Sequence, residues 1–192
     1  MARPREFDSD QALEKAMQVF WSKGYEATSL SDLLSAMGLS KSSFYATFGS
    51  KHELFLATLD RYGETHAASL IAILEGAQSP RQAIATILEG AVRASNAEER
   101  RGCFVNNCAV EVAPHDQLVA RRVAKGHGRM EEAFYRAVEA GQDAGEITTR
   151  QSARALARFL NNSLTGLTVM GEGGADQATL RDALRVTLSA LD

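Results

Sequence analysis

This sequence predicts an all-α protein, and three observations carry that prediction. Apolar residues recur at three- and four-residue intervals along most of the chain. Only 3 prolines occur, Pro4, Pro80 and Pro114, each where a helix can begin or a loop can run. Alternating runs of Val, Ile and Thr, the mark of strands, are absent. At 192 residues, 45% of them hydrophobic, the chain can bury a full core in one large or two small domains.

Asp8 or Ser9 caps a first helix that runs to Lys23 and is closed by Gly24. Its apolar face is Ala12, Leu13, Ala16, Met17, Val19 and Phe20, with Trp21 beside it. Tyr25 is expected to pack beneath the next two helices. Thr28 or Ser29 caps the second, which carries Leu30, Leu33, Leu34 and Met37. Gly38 can end it in the left-handed conformation, and Ser40 can cap a third helix over 41–48. That helix sets Phe44 and Phe48 on one side and leaves Lys41, Ser42, Ser43, Tyr45 and Thr47 largely on the others. Two short helices around a tight turn, the second polar-faced, make a helix-turn-helix, whose second helix enters the DNA major groove.

The run GLSKSSFYATFGSKHELF is similar to the signature of the TetR family of bacterial transcriptional regulators: Gly, a helix-start Ser, an aromatic-Tyr pair, a Phe, then Lys-x-x-Leu. The preceding YEATSLSDLLSAMG also fits, so the resemblance runs from about Phe7 to Leu59. It implies a three-helix head, 1–59, including the start of a linking helix. A larger helical body, 60–192, would bind ligand and dimerise, giving about nine helices in all. It implies base contacts from Lys41, Ser42 and Tyr45, and backbone contacts from Ser43, Thr47 and Lys51. Hydroxyls at the second helix start, Thr28 and Ser29, would donate to a phosphate, although a plain cap fits as well. The division is physically sound, since phosphate contacts fix register and base edges carry the sequence. Ser42 and Ser43 are small enough to let the helix lie near the groove floor. Tyr45 offers a ring to a thymine methyl.

The formal net charge is -3, and the head is not basic in bulk. DNA binding therefore needs charge placed locally, at helix N-termini and at Lys41 and Lys51. Arg3 and Arg5 lie on an N-terminal arm that is either frayed or ordered on DNA.

Ser50 caps the linking helix, with Glu53 completing a capping box, and the helix continues to about Glu75. In the family its tilt sets the spacing of the two heads. After the loop GAQSP, Ser79 caps a helix with Ile84, Ile87, Leu88 and Ala91 on one stripe, and SNAEERRG is a polar break. In GCFVNNCAVEVAPHD, Asn106, Asn107 and Glu111 interrupt an apolar helix. Buried Asn needs partners, so this is either a satisfied network or a ligand site. The stretch resembles family members with Gly-Cys opening the sixth helix, in some of which the cysteine senses electrophiles. A helix start beside Arg100 and Arg101 would favour a thiolate at Cys103, whereas most buried cysteines are inert, as expected for Cys108.

A helix from about Asp116 to Ala140 turns Leu118, Val119, Val123, Met130, Phe134 and Val138 inward. Arg121, Arg122, Lys125 and Arg129 read as a solvated face and His127 as a surface residue. Thr148 or Thr149 caps the following helix, where Asn161, Asn162 and Thr165 mark either a subunit seam or a pocket lining. The last helix spans 177–191. The last two helices, about 150–191, suit an antiparallel pair that meets its symmetry mate in a four-helix bundle.

The expected function is a homodimeric, ligand-responsive DNA-binding regulator: a repressor released from a palindromic operator by a small molecule. Ligand-lining candidates are Cys103, Phe104, Asn106, Asn107, Met130, Phe134, Phe159 and Asn162. The alternatives are an all-helical protein-interaction adaptor and an electrophile- or redox-sensing regulator acting through Cys103. No enzyme is expected, since phosphate loop, His-x-x-x-His and Gly-x-Ser-x-Gly patterns are missing. No cofactor or metal is expected either; His115 alone stands near the cysteines. Two cysteines make no disulfide framework, and neither a signal peptide nor a run of ~20 apolar residues occurs. The protein is therefore expected in the cytoplasm, with reduced thiols.

Overall fold

Side-chain caps start most of the helices. In α1 (Ser9–Lys23), the Asp8 carboxylate accepts from the N–H groups of Asp10 and Gln11. In α2 (Leu30–Met37), Ser29 Oγ accepts from Asp32 N–H at 3.1 Å, and Asp32 Oδ2 accepts from Ser29 N–H at 2.9 Å. Lys23 Nζ also donates to Asp32 at 2.7 Å, and with the Ser29 bonds it holds that carboxyl far below the usual range. Gly38, at φ 70°, ends α2 in the left-handed region, and Ser40 caps α3 (Lys41–Phe48).

The rod α4 joins head to body. It begins as Lys51–Tyr62, passes through a π-helical turn at Gly63–Ala67 and continues as Ala68–Gly76. Ser50 accepts from Glu53 N–H, but the reciprocal half of the expected capping box is not formed. Ser50 N–H donates to the Phe48 carbonyl at 2.8 Å, which leaves Glu53 no donor there. There follow α5 (Pro80–Ala94), α6 (Phe104–Glu111), α7 (Gln117–Asp143), α8 (Ala153–Glu172) and α9 (Gln177–Ser189). The computed structural model describes residues 8–95 and 101–192, so the arm with Arg3 and Arg5, most of the polar break, and Arg100 lie outside it. Among the described residues there are nine helices and no strand.

Two expectations near the body termini need correction. The cap of α8 is Ser152, not Thr148 or Thr149. Thr148 N–H donates to the Leu191 carbonyl, and Gln142 Nε2 donates to the carbonyls of Thr148 and Gln151, so the loop is tied down before the helix starts. Leu118, in the first turn of α7, is exposed rather than inward.

Two apolar clusters fill the molecule. The body cluster joins the far part of α4 to α5, α7, α8 and α9 through Leu74, Ile84, Leu88, Phe134, Leu160 and Leu180. The head cluster gathers Phe20, Leu33, Phe44, Leu54 and Phe55 from α1–α4, but it also takes Phe104, Cys108 and Val112 from the α6 segment and Val119 and Val123 from α7. A few short helices bury too little surface alone. Phe104 closes the gap, its ring centre 5.9 Å from Phe55, 5.8 Å from Tyr62 and 6.4 Å from Trp21.

Phe104→Ala should therefore destabilise the whole chain by about 3–5 kcal/mol, the range for emptying a buried aromatic site. Chemical denaturation followed by circular dichroism measures this. A loss well under a kilocalorie would show that head and body do not share this core.

Candidate functional site

On α3, Phe44 is fully buried and Phe48 half-buried, their ring centres 6.0 Å apart, which pins that side of the helix to the core. Lys41, Ser42 and Tyr45 are left exposed, with Tyr45 at 47%. Ser43 and Thr47 are half-buried. At the start of α3, Ser40 Oγ lies 3.0 Å from Ser42 Oγ and 2.9 Å from Ser43 Oγ, so three hydroxyls cluster at a positive helix end suited to an anion.

The two residues before α2 are used differently. Ser29 is exposed and caps the helix. Thr28 is buried, and its hydroxyl donates to the Gly24 carbonyl at 2.6 Å. With its hydroxyl occupied and its side chain enclosed, Thr28 braces the turn and leaves the outer surface of that helix start to Ser29. Lys51 is half-buried, its ammonium 4.3 Å from the centre of the Tyr25 ring at the first turn of α4.

The body holds a cavity of about 1050 Å³, just above the ~300–1,000 Å³ common for small-molecule sites. The π-helical turn of α4 forms part of its wall through Gly63, Glu64, His66 and Ala67. Ile87 and Ala91 come from α5, Met130 from α7 and Leu164 from α8, which makes much of the lining apolar. A polar seam crosses it. Asn106 Nδ2 donates to Thr168 Oγ1 at 2.8 Å, Thr168 donates to the Thr165 carbonyl, and Asn161 Nδ2 donates to the His127 carbonyl. Burial lowers the pKa of His127, which lines the cavity and is not an ordinary surface residue.

Cys103 stands at the N-cap of α6, half-buried and on the cavity wall. Tyr62 Oη donates to its Sγ at 3.5 Å, and Tyr62 stacks on His66 with ring centres 5.0 Å apart. Burial, followed by the Cys103 thiol, raises the Tyr62 pKa. Cys108 is enclosed, and burial pushes the pKa of its thiol far above the normal range, which disfavours the thiolate.

Of the eight ligand-lining candidates, Cys103, Asn106 and Met130 reach this cavity. The other five do not. Phe104 is in the head cluster and Phe134 in the body core. Asn107 donates to the Arg101 carbonyl and to Glu172. Phe159 and Asn162 are exposed. Helical phase explains the placement on α8: Asn161, Leu164, Thr165 and Thr168 repeat at i, i+3, i+4 and i+7 and form one stripe on the cavity. That spacing is legible in the sequence and would have chosen Asn161 over its neighbour. Tyr62 and His66 left no such signal, because the π turn shifts the phase of α4 between them, and Trp21 reaches the cavity from α1, outside the body.

The basic stretch of α7 is only partly a solvated face. Arg122 Nε donates to Asp60 at 3.0 Å and Arg129 to the Gly63 carbonyl at 3.2 Å, holding α4 beside the cavity that Arg121 and Lys125 also border. Among the described residues, no group of three or more His, Cys, Asp or Glu could hold a metal ion, and no helix is long and apolar enough to cross a membrane.

Comparison with known proteins agrees with this architecture over both parts of the chain. The family model "Bacterial regulatory proteins, tetR family" matches residues 12–58, and "Tetracyclin repressor-like, C-terminal domain" matches 80–187. The uncharacterized HTH-type transcriptional regulator YezE of Bacillus subtilis (strain 168) is 39% identical over 194 residues, covering 100% of both chains. The HTH-type transcriptional repressor ComR of Escherichia coli (strain K12) is 35% identical over 189 residues, 97% of this chain and 90% of its own. A solved cysteine mutant of the TetR family transcriptional regulator CifR, complexed with 26-bp operator DNA, superimposes with a TM-score of 0.85 at 34% identity, covering 99% of this chain and 100% of that one. With its helix-turn-helix head and its helical body both matched, this chain belongs to the TetR family of bacterial transcriptional regulators.

Proposed function

We propose that the protein is a cytoplasmic, homodimeric repressor, not an enzyme, that leaves a near-palindromic operator when a small molecule occupies the body cavity. The observation that carries this reading is the pairing of an exposed polar face on α3 with a largely apolar cavity walled by the same α4 rod that supports the head. Residues 1–59 act as the DNA-reading unit and 60–192 as the ligand-binding and dimerisation unit. Lys41, Ser42 and Tyr45 contact bases, while Ser29, Ser43, Thr47 and Lys51 contact phosphates. Phe159, Val169 and Met170 on α8 and Val186 on α9 are large apolar side chains exposed on the monomer, which supports a dimer contact through those two helices. Each head then reads a half-site about 34–36 Å, one helical turn, or more from the other. The effector acts by binding one head spacing better than another. The repressor name of ComR and the operator complex of CifR support the direction of control.

A second reading is favoured at Cys103. Cys103 lines the cavity and its sulfur takes a hydrogen bond from the Tyr62 hydroxyl, which supports covalent capture of an electrophilic effector there.

Titration of the protein against the DNA flanking its own coding sequence, at two salt concentrations, tests the main reading. Specific binding should weaken with a log–log salt slope of about −0.9 per phosphate contact. A protein-interaction adaptor would bind no DNA specifically and show little salt dependence. Lys51→Ala should weaken binding to all sequences alike and flatten the slope by about one contact. An effect confined to one base position would remove Lys51 from the phosphate set. Cys103→Ser should abolish release of DNA by N-ethylmaleimide while leaving operator affinity unchanged; survival of the release would dismiss the thiol reading.

A further inference from the structure

Helix α6 has only eight residues, yet its two ends meet different parts of the molecule. At its start, Cys103, Val105 and Asn106 line the cavity. At its end, Glu111 crosses to the head. Its Oε2 accepts from the Tyr25 N–H at 3.1 Å and its Oε1 from the Glu26 N–H at 2.9 Å. Two consecutive backbone amides turned on one carboxylate form an anion nest with charge-assisted bonds. The fit is close, since a Cβ on Gly24 would lie 2.9 Å from both carboxylate oxygens, and Gly24 has φ 79°.

The segment held in this way leads directly into the helix-turn-helix. Gly24 caps α1, its carbonyl accepts from the Thr28 hydroxyl, and Ser29 next to it starts α2. Other contacts between head and body hold side chains or neighbouring elements: Trp21 Nε1 donates to the Arg101 carbonyl, His52 bonds to Asp116, and Arg122 pairs with Asp60. Glu111 holds the backbone of the turn itself.

We propose that Glu111 is the positioning residue that couples the body cavity to the DNA-reading helices. This rests on reading the cavity as the effector site. A helix of eight residues is about 12 Å long and moves as one body. Displacing its first turn at the cavity shifts the Glu111 carboxylate in its nest, and with it the turn from which α2 and α3 extend. Glu111 itself contacts neither DNA nor effector.

Coupling between two binding events is reciprocal, so operator DNA must also be felt at the cavity end of α6. Cys103 gives a direct readout there, because Cys108 is enclosed. The experiment measures the rate at which Cys103 reacts with a chromogenic aromatic disulfide. It uses the full-length protein, free and saturated with an operator that the wild-type protein selects from random-sequence DNA. Cys103→Ser assigns the signal. In the wild type, operator should change the rate by about fivefold or more, the lower end of typical coupling. Glu111→Ala and Glu111→Gln should lose most of that dependence while still saturating with operator. Gln keeps the shape of the side chain but faces one of the two N–H groups with its own amide, and it provides the test if the Ala variant does not fold. Far-ultraviolet circular dichroism and the unfolding midpoint report folding for each variant. An undiminished rate ratio in either folded variant, or no DNA dependence in the wild type, would overturn the coupling role. Failure of the regulator reading itself would show earlier, as no sequence being selected.

Discussion

The structure depends on one packing constraint: three short helices cannot close their own core. Phe104 supplies what is missing, entering from α6 against Trp21, Phe55 and Tyr62, and Val119 and Val123 add the first turns of α7. The head is therefore finished by the body. Because the same apolar cluster contains residues that carry α3 and residues that adjoin the cavity wall, the two surfaces cannot rearrange independently. Interiors packed at crystal-like density transmit displacement and do not absorb it.

Around that shared core the polar contacts divide the work. The Asp32 and Ser29 reciprocal cap fixes where α2 starts, and the buried Thr28 hydroxyl fixes the turn that leads to it. Arg122 and Arg129 clamp α7 to α4 at Asp60, just before the π-helical turn, and at Gly63, its first residue. A π turn admits an extra residue into the helix and is often found at functional sites. Here it carries Glu64 and His66 to the cavity, which places the irregular backbone where a ligand would need room.

Much of the fold was legible because local chemistry decides it. Asp8, Ser40, Ser50, Ser79 and Asp116 cap helices whose apolar stripes are plain in the chain, and Gly24 and Gly38 end two of them. The exposed face of α3 followed from Phe44 and Phe48 alone, since two aromatics four residues apart must share the buried side. The placements that the sequence did not give lay where local signals compete. Thr148 and Thr149 look as good a cap as Ser152, and what excludes them is the tie from Thr148 to Leu191 together with the Gln142 bonds to the Thr148 and Gln151 carbonyls. Asn161 and Asn162 are indistinguishable as a pair, and the 100° between them puts one on the cavity and the other on the surface.

By itself, then, the sequence determined the helical class, the helix-turn-helix, its outward residues and the family likeness, all properties of contiguous stretches with helical period and caps. Only the tertiary structure decided which body residues surround a cavity, that Phe104 belongs to the head, and that Glu111 grips the turn at Tyr25 and Glu26. Those facts join residues more than forty, and in the last case more than eighty, positions apart. Periodicity says which side of a helix is apolar, but not which neighbour that side meets. The neighbour is set by how the helices pack into shared cores, a property that no single stretch carries.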